Sequence, residues 1–292
     1  MKMEWHQIQY FQMVAKTQHI TRAAEQLSIS QPALSRSIAK LEEELGVQLF
    51  DRKGRNIYLN RYGEMFLNRV EQSIKQIEIG KQEIRDEIHP DHGTISLAFL
   101  PSLGMSIVPE IVSSYQNQYF NVKFHLTQDS TKQVMEQLKS GNVDLALIAL
   151  LHDDKDIVWE PLLTEELFLI VSVDHWLASY DEVDLKMIAK EPFISFKDGY
   201  GLRTIIHHLC NEAGFSPNIV FEGEEIGTVS GFVGAKLGVS LVPDLQVLDK
   251  NKVKLIHLKH PRCKRDVGVA WLKDSYLSPV TKRFIQYVKH LF

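Results

Sequence analysis

The chain has 292 residues, a length typical of two or three compact domains rather than one. Hydrophobic residues make up 44% and charged residues 24%, which are globular values and exclude a disordered or collagen-like chain. The formal net charge of -4 gives the whole chain no preference for polyanions.

The sequence also indicates a compartment. Its apolar runs fall far short of the roughly 18 residues that span a bilayer, so we expect no membrane partner. The first residues, "MKMEWHQIQYFQMVAK", lack the continuous apolar region of an export signal. Two cysteines, Cys210 and Cys263, are too few for a disulfide framework. These features together predict a cytoplasmic protein.

Charge is distributed unevenly along the chain. Residues 1–60 contain eight Lys and Arg against six Asp and Glu, which gives +2 there and leaves -6 for the remainder. An acidic protein can still bind a polyanion when the cations of one region lie on a single face. The first 60 residues are therefore the candidate region for binding nucleic acid.

Three short helices are predicted in this region. Ile8, Phe11 and Ala15 recur at helical spacing and predict the first helix. Thr21 is a candidate N-cap for a second helix that ends near Leu27.

The third helix has the clearest signals. Ser30 can cap it, Pro32 fits its first turn, and Gly46 ends it. Its apolar residues step by four, three and four and predict one buried stripe: Leu34, Ile38, Leu41 and Leu45. The flanking and outer faces then carry short hydrogen-bonding side chains and cations, a set suited to base edges and phosphates: Gln31, Pro32, Ser35, Arg36 and Lys40.

Two short strands, "VQLF" and "NIYLN", are predicted after the third helix. The turn between them, "DRKGR", presents Arg52, Lys53 and Arg55 as a basic wing beside a DNA groove. The alternative is an ordinary three-helix module with a solvated charged turn. On the DNA-binding hypothesis, the predicted contact residues are Thr21, Ser30, Gln31, Pro32, Ser35, Arg36, Lys40, Arg52, Lys53 and Arg55.

The run "AAEQLSISQPALSRSIAKLEEELGVQLFDRKGR" closely resembles the winged helix-turn-helix of the LysR-type transcriptional regulators. The resemblance implies that Gln31, Pro32 and Ser35 approach bases, while Arg36 and the wing cations contact phosphates. This chain departs from the family pattern at Asn60, where "LNRYG" replaces the usual "LTxxG". Asn caps helices as well as Thr does, so we expect the next helix to begin there.

A long helix is predicted from Arg61 to about Ile88, because this stretch has no proline. At 1.5 Å per residue its 28 residues reach about 42 Å. Apolar residues alternate steps of three and four and predict a dimerisation seam, with Lys81 as its one polar position: Leu67, Val70, Ile74, Ile77, Ile84 and Ile88. The alternative is a helix that lies on its own domain. The family resemblance favours pairing between subunits.

From Thr94 onward, strand-like and helical runs alternate, which predicts an α/β domain built on mostly parallel sheets. Ligands of such domains bind at the carboxyl ends of strands, beside helix starts. The residues at these places are Ser102, Ser130, Thr131, Gly201, Leu202, Arg203 and Thr228. A single Ser or Thr at a helix start is usually only a cap.

Segments such as "SGNVDLALI" and "AGFSPNIVFEG" resemble the effector domain of the LysR family, which is similar to periplasmic solute-binding proteins. The resemblance implies two α/β lobes joined by two crossover strands, and it adds Phe196 to the cleft residues. If Arg203 faces the cleft, its guanidinium favours a carboxylate or phosphate effector, such as an organic acid. If it faces outward, Arg203 is an ordinary solvated residue.

Signatures of catalysis are weak in this sequence. It contains neither a GxxxxGK phosphate loop nor a GxGxxG turn. "GVSLV" lacks the second glycine of a nucleophile elbow, which makes Ser240 a core serine. His257, His260 and Cys263 have ligand-like spacing, but strand alternation would separate them. We therefore predict no enzyme, no cofactor and no metal.

The resulting domain prediction is a winged helix-turn-helix at 1–60, a linker helix at 61–90 and an effector domain at 91–292. In that domain, lobe I takes about 91–163 and 267–292, and lobe II about 164–266. The predicted function is a ligand-responsive DNA-binding regulator that forms a homodimer or homotetramer. Its expected partners are double-stranded DNA and a small-molecule effector, with RNA polymerase as a further candidate. The alternatives are a cytoplasmic small-molecule-binding protein without DNA binding, and an α/β enzyme.

Overall fold

The computed structural model describes residues 3–53, 56–89, 91–149 and 154–292. The chain forms two compact units, Met1–Arg85 and Asp86–Phe292. Within the described ranges, no helix combines the length and the apolar character that are needed to span a bilayer.

The first unit consists of three short helices, a two-stranded hairpin and a long helix. In the hairpin, the two strands pair antiparallel with Phe50 opposite Leu59. The elements are α1 (Trp5–Thr17), α2 (Ile20–Gln26), α3 (Gln31–Leu45), β1 (Phe50–Lys53), β2 (Asn56–Leu59) and α4 (Arg61–Ile88).

The predicted apolar stripe of α3 faces the core of this unit. Leu34, Ile38 and Leu41 are buried against α1 and α2, and Leu45 is half-buried against the same cluster. The helix boundaries follow the predicted signals, because Ser30 Oγ accepts from the Ala33 amide and Gly46 ends α3 at a φ of 71°. The amphipathic period therefore leaves the opposite face of α3 at the surface.

The helix starts confirm one predicted cap and correct another. Asn60 Oδ1 accepts from the amides of Tyr62 and Gly63 at 2.9 and 3.0 Å, so Asn60 caps α4. The prediction that Thr21 caps α2 is wrong. Residue His19 has extended backbone and its Nδ1 accepts from the Arg22 amide, which places Thr21 inside the helix.

The long helix α4 has two different environments along one face. Val70 is 4% exposed, and the neighbouring Leu67 and Ile74 are half-buried against the core of the first unit. Ile77, Ile84 and Ile88 continue the same face but are exposed, Ile84 by 64%. The first three seam positions therefore pack on their own unit, and only the later three are available to another chain.

The second unit begins with a lobe of three strands and three helices. Strand β3 pairs parallel with both β4 and β5. The elements are β3 (Gly93–Phe99), α5 (Pro101–Gly104), α6 (Ile107–Gln118), β4 (Val122–Gln128), α7 (Thr131–Ser140) and β5 (Leu145–Ala149). The C-terminal helix α10 (Pro279–Leu291) returns to pack against β3 and α6.

The second lobe follows a long strand, β6 (Ile157–Ser172). Two 3-10 turns, Trp176–Ser179 and Leu185–Ile188, flank the two-residue strand β7 (Glu182–Val183). The remaining elements are β8 (Pro192–Phe196), α8 (Gly201–Glu212), β9 (Asn218–Gly223), α9 (Ile226–Gly234), β10 (Ser240–Pro243), β11 (Val253–Leu258), β12 (Lys264–Leu272) and α10 (Pro279–Leu291).

Strands β6 and β12 connect the two lobes. Their main sheet runs in the order β4-β3-β5-β12-β6-β11-β7, with β10 also on β6. In this sheet β6 pairs antiparallel with β12 over its first part and with β10 and β11 over its last part. The sheet is therefore mixed, which corrects the prediction of mostly parallel strands. Residues 157–166 were missed as strand because "EPLLTEE" lacks a regular alternation.

Candidate functional site

The outer face of α3 forms the first candidate site. Gln31, Pro32, Arg36 and Lys40 are exposed there, and Ser35 is partly exposed, on the side opposite the buried stripe. Such a helix face can enter the major groove, where short polar side chains reach base edges and cations reach phosphates. The structure thus brings five of the ten predicted DNA contacts onto one surface.

The polar side chains on this face contact one another or nearby backbone. Gln31 Nε2 donates to Ser35 Oγ at 2.9 Å, and Arg36 Nε donates to the Pro32 carbonyl at 3.3 Å. Lys40 Nζ lies 3.4 Å from the Glu4 carboxylate. Exposed pairs of this kind contribute little free energy, so DNA can replace them.

The other predicted DNA contacts have varied positions. Thr21 is exposed on α2, and the Ser30 hydroxyl is occupied as the cap of α3. Arg52 and Lys53 belong to β1, the first strand of the hairpin. The side chains of Arg52 and Lys53 and the whole of Arg55 lie outside the described residues.

The second candidate site is a cavity between the two lobes. It is a narrow, open cleft, and its space together with the solvent at its mouth amounts to about 460 Å³. Most of its wall is apolar, and its polar groups come from both lobes and from β12. The lining residues are Leu100, Pro101, Ser102, Met105, Thr131, Ala149, Phe196, Tyr200, Gly201, Leu202, Glu224, Glu225, Ile226 and Arg265.

A buried arginine lies at the floor of this cavity. Arg265 on β12 is 3% exposed and pairs across the sheet with Glu165 on β6, at 2.6 Å. Its Nη2 also donates to Ser102 Oγ in lobe I at 3.1 Å. Burial lowers the pKa of Arg265, and the Glu165 carboxylate opposes this shift by favouring the charged guanidinium. A guanidinium has five N–H groups, so its fork can serve Glu165, Ser102 and a ligand at once.

Within the described residues, two hydrogen bonds join lobe I to lobe II beside the cavity. Thr131 Oγ1 accepts from the Gly201 amide at 2.8 Å, and the Lys132 amide donates to the Gly199 carbonyl at 3.0 Å. A Cβ at Gly201 would lie 2.9 Å from Thr131 Oγ1, so this approach requires glycine. The start of α7 is therefore attached to the loop that precedes α8.

The rim of the cavity is acidic. Burial raises the pKa of Tyr200, and the carboxylates of Glu224, Asp129 and Glu225 raise it further. A hydrogen bond from Lys197, together with its positive charge, lowers the pKa of Glu224. Near neutral pH the rim thus presents a phenol and carboxylates, which favour hydrogen-bond donors on a ligand.

Three helices begin at the cavity without a side-chain cap. The N-cap residues Leu100 of α5, Tyr200 of α8 and Glu225 of α9 make no capping hydrogen bond through their side chains in the described part of the chain. Helix starts carry unpaired amides and the positive end of the helix dipole. The Gly201 amide of α8 is already bonded to Thr131 Oγ1, and Pro101 at the start of α5 has no amide N–H. The remaining amides and the helix dipoles at these starts favour an acceptor or an anion.

Five of the eight predicted effector residues line this cavity: Ser102, Thr131, Phe196, Gly201 and Leu202. Three do not. The Ser130 hydroxyl accepts from the Gln133 amide as the cap of α7. Arg203 donates to the Phe196 carbonyl at 2.8 Å and pairs with Glu222, and Thr228 is exposed on α9. Local hydrogen bonds and the helix period thus direct these three side chains elsewhere.

Sequence reasoning missed Arg265, the most informative side chain of the cavity. Its partners lie 100 and 163 residues away, at Glu165 and Ser102. One signal was present in the sequence, because the strand run "KRDVGVAW" contains an arginine. An arginine that is buried in a strand almost always has a charged partner, so this residue was a candidate for a buried ion pair. The acidic residues Glu224 and Glu225 also stood directly before α9.

No group of three or more His, Cys, Asp or Glu side chains in the described part of the chain could hold a metal ion. His257 contacts Glu166, and Cys263 is buried with its thiol directed to the Pro261 carbonyl. Ser240 is fully buried in β10.

Comparison with known protein families decides what these two sites belong to. Residues 5–64 match the family described as "Bacterial regulatory helix-turn-helix protein, lysR family", and residues 89–292 match "LysR substrate binding domain". The chain belongs to the LysR family of transcriptional regulators. The first match contains the exposed face of α3, and the second contains the whole cavity.

Relatives of this LysR regulator align over nearly its full length. "Uncharacterized HTH-type transcriptional regulator YybE" of Bacillus subtilis is 49% identical over 286 residues, which are 98% of each chain. "Transcriptional dual regulator GltC" of the same organism is 35% identical and covers 99% of this chain and 98% of its own. These relatives are regulators, so the chain is a ligand-responsive DNA-binding transcriptional regulator and not an enzyme.

Solved structures agree with this assignment. The effector-binding domain of QuiR in complex with shikimate is 32% identical, with a TM-score of 0.66, and covers 68% of this chain and 97% of its own. HinK, a LysR family regulator from Pseudomonas aeruginosa, is 25% identical with a TM-score of 0.63 and covers 99% of this chain and 98% of its own. The two-lobed effector domain behind a helix-turn-helix is therefore shared with solved members of the family.

Proposed function

We propose that the outer face of α3 reads the major groove of double-stranded DNA and that the hairpin β1-β2 contacts the adjacent phosphates. Gln31 and Ser35 would meet base edges, while Arg36 and Lys40 would neutralise phosphates. The proposal is supported by the position of these side chains on the face opposite the buried residues Leu34, Ile38 and Leu41. On this proposal residues 1–60 form the reading head, 61–90 the linker and 91–292 the effector domain.

The exposed part of α4 supports an oligomer. Ile77, Ile84 and Ile88 leave an apolar face beyond the part of the helix that packs on its own unit. A second copy of the helix would cover this face in a homodimer, and a homotetramer would require further contacts. Two reading heads would then recognise a partly palindromic site.

The effector that fits the cavity best is a small organic acid. Its carboxylate would take the free N–H groups of Arg265 at the floor, close to Ser102 and to three uncapped helix starts. Hydroxyl or amino groups on the ligand would face Glu224 and Glu225 at the rim. The related domain of QuiR was solved with shikimate, a hydroxylated acid, which supports this chemistry.

The effector would act by favouring one arrangement of the lobes. Its binding site includes groups of both lobes, so its affinity depends on how far the lobes are closed. By linkage, the preferred lobe arrangement changes the affinity of the oligomer for DNA or the bend it imposes. RNA polymerase at the controlled promoter is a further proposed partner, and the cytoplasm is the proposed compartment.

The effector proposal is tested by calorimetric titration of the purified protein with a panel of small carboxylic acids. We expect one acid to bind the wild type, and Glu165→Gln to bind it more tightly because a competing carboxylate is removed. The double variant Glu165→Gln with Arg265→Gln should lose binding. Arg262→Gln is the matched control, because Arg262 is exposed outside the cavity. Equal affinity in the double variant would reject Arg265 as the acid-binding group.

A further inference from the structure

The short segment between α3 and the hairpin is bonded on two sides. The Leu49 amide donates to Glu42 Oε1 of α3 at 2.8 Å. The Leu49 carbonyl accepts from the Asn60 amide, directly before α4, at 3.0 Å. The amide of Leu49 is thus bonded to α3 and its carbonyl to the residue that caps α4, although Leu49 belongs to neither helix.

On the α3 side, the bond comes from a buried carboxylate. Glu42 is only 9% exposed, next to the apolar stripe of α3, whereas Arg36, Lys40 and Glu43 on the same helix are exposed. Its backbone carbonyl also accepts from the Val47 amide at 3.2 Å. Burying a carboxylate costs free energy unless it is hydrogen-bonded. The bond from the Leu49 amide therefore offsets part of the cost of burying Glu42.

On the α4 side, the segment lies so close to the helix start that no side chain fits at residue 63. Asn60 Nδ2 donates to the Gln48 carbonyl at 2.9 Å. A Cβ on Gly63 would lie only 2.1 Å from the Leu49 carbonyl oxygen and 2.7 Å from Leu59 Cδ2. Since the first of these is a backbone atom, any side chain at residue 63 must push the segment away from α4.

We propose that Glu42, Leu49, Asn60 and Gly63 form a wing clamp that positions the hairpin for its phosphate contacts. Glu42 and Gly63 are positioning residues in this clamp, because they act through Leu49 and not on DNA. The inference rests on the DNA interface proposed above. Because the clamp includes the first turn of α4, a movement of the linker helix also moves the hairpin, which gives the linker direct control over DNA affinity.

The clamp is tested by measuring how DNA affinity depends on salt. The probe is a fluorescent random-sequence duplex of about 30 base pairs, titrated between roughly 50 and 200 mM KCl. Each phosphate contact contributes about 0.9 to the slope of log affinity against log salt. If the hairpin moves away from DNA, its cations no longer contact phosphates and the slope should fall. If a variant is only less stable, the protein that remains folded should bind with the wild-type slope.

Four variants of the full chain are compared at a temperature where circular dichroism shows all of them folded. We expect Gly63→Ala and Glu42→Leu to weaken binding by roughly tenfold and to reduce the slope by about one to three. Glu42→Gln keeps an acceptor for the Leu49 amide and should restore the wild-type slope. Gly80→Ala is the matched control on the same helix, because a Cβ there meets no atom within 4 Å.

Two results would overturn the clamp. The first is that Gly63→Ala and Glu42→Leu both keep the wild-type slope. The second is that Glu42→Gln lowers the slope as much as Glu42→Leu does. A failure of the underlying DNA interface is distinguishable from either. In that case the wild type itself shows no salt-dependent binding, and Arg36→Ala changes neither the affinity nor the slope.

Discussion

Thr131 Oγ1 accepts a hydrogen bond from the Gly201 amide at 2.8 Å, and the two residues belong to opposite lobes of the effector domain. The first amides of a helix have no partner within the helix, so this amide is one that an acidic ligand could otherwise use. The threonine hydroxyl thus occupies part of the proposed ligand site. A ligand that takes this amide would have to displace Thr131 and break one of the two described bonds that join the lobes beside the cavity.

The first prediction concerns this bond. Thr131→Val removes the acceptor while keeping the shape of the side chain, and should lower the free energy of unfolding of the effector domain by about 1 kcal/mol. Thr131→Ser keeps the hydroxyl and should remain near the wild type. Urea denaturation of the two variants measures the difference, and equal midpoints would show that the hydroxyl bond carries no stability.

The second prediction concerns the buried pair at the cavity floor. Removal of one partner leaves an uncompensated charge, so Arg265→Met or Glu165→Leu alone should each destabilise the protein by about 3 to 5 kcal/mol. The double variant should cost much less than the sum, because both charges leave together. A double-mutant cycle from chemical denaturation provides this comparison. Additive losses would mean that Arg265 and Glu165 do not stabilise each other.

A third prediction concerns the two cysteines. Burial raises the pKa of Cys210 and of Cys263 from the usual 9.0 to about 12. Neutral thiols are poor nucleophiles, so iodoacetamide should label the folded protein slowly and the unfolded protein rapidly. Mass spectrometry of labelled samples measures both rates. Rapid labelling under native conditions would contradict the buried positions of these thiols.

The same shifts fix the sign of a pH dependence. Between pH 9 and about 12 the unfolded thiols lose protons that the folded thiols keep, so the free energy of unfolding should fall as the pH rises through this window. Burial also raises the pKa of Tyr115 from 10.0 to about 12, which adds to the effect. The Cys210→Ala, Cys263→Ala double variant should show a shallower fall.

The fourth prediction separates the two parts of α4. Val70→Ala deletes buried apolar atoms and should lower the stability of the first unit by roughly 1 to 3 kcal/mol. Ile84→Ser changes an exposed residue and should weaken subunit association, and any loss of stability should be no larger than this weaker association causes. Sedimentation and thermal unfolding of the two variants are measured together. An unchanged association constant in Ile84→Ser would reject the proposed oligomer face.

Local signals in the sequence predicted much of the fold. Ser30, Gly46 and Asn60 mark helix boundaries through bonds to residues close in sequence, and each lies where its chemistry indicated. The prediction for α2 failed because the helix begins two residues earlier, where His19 Nδ1 accepts from the Arg22 amide. Cap preferences favour Thr, and histidine is not among the residues they rank highly, so they pointed to Thr21.

The cavity could be predicted only in part, because its key contacts are far apart in sequence. Arg203 is directed to Glu222, nineteen residues away on another element, and the helix period alone left two orientations open. Arg265 faces Glu165 because the crossover strands β12 and β6 pair in a register that places these two residues opposite each other. Such pairs depend on tertiary register, which neither spacing nor composition specifies.

The central claim is that the exposed face of α3 binds DNA, and salt-dependent binding by Arg36→Ala tests it most directly. Arg262→Ala, an exposed arginine in the effector domain, is the matched control. Footprinting of the wild type on genomic fragments should show paired half-sites. In titrations of a protected fragment, Arg36→Ala should reduce the affinity at least tenfold and lower the salt slope by about one. Arg262→Ala should change neither quantity. Wild-type affinity and slope in Arg36→Ala would contradict the account.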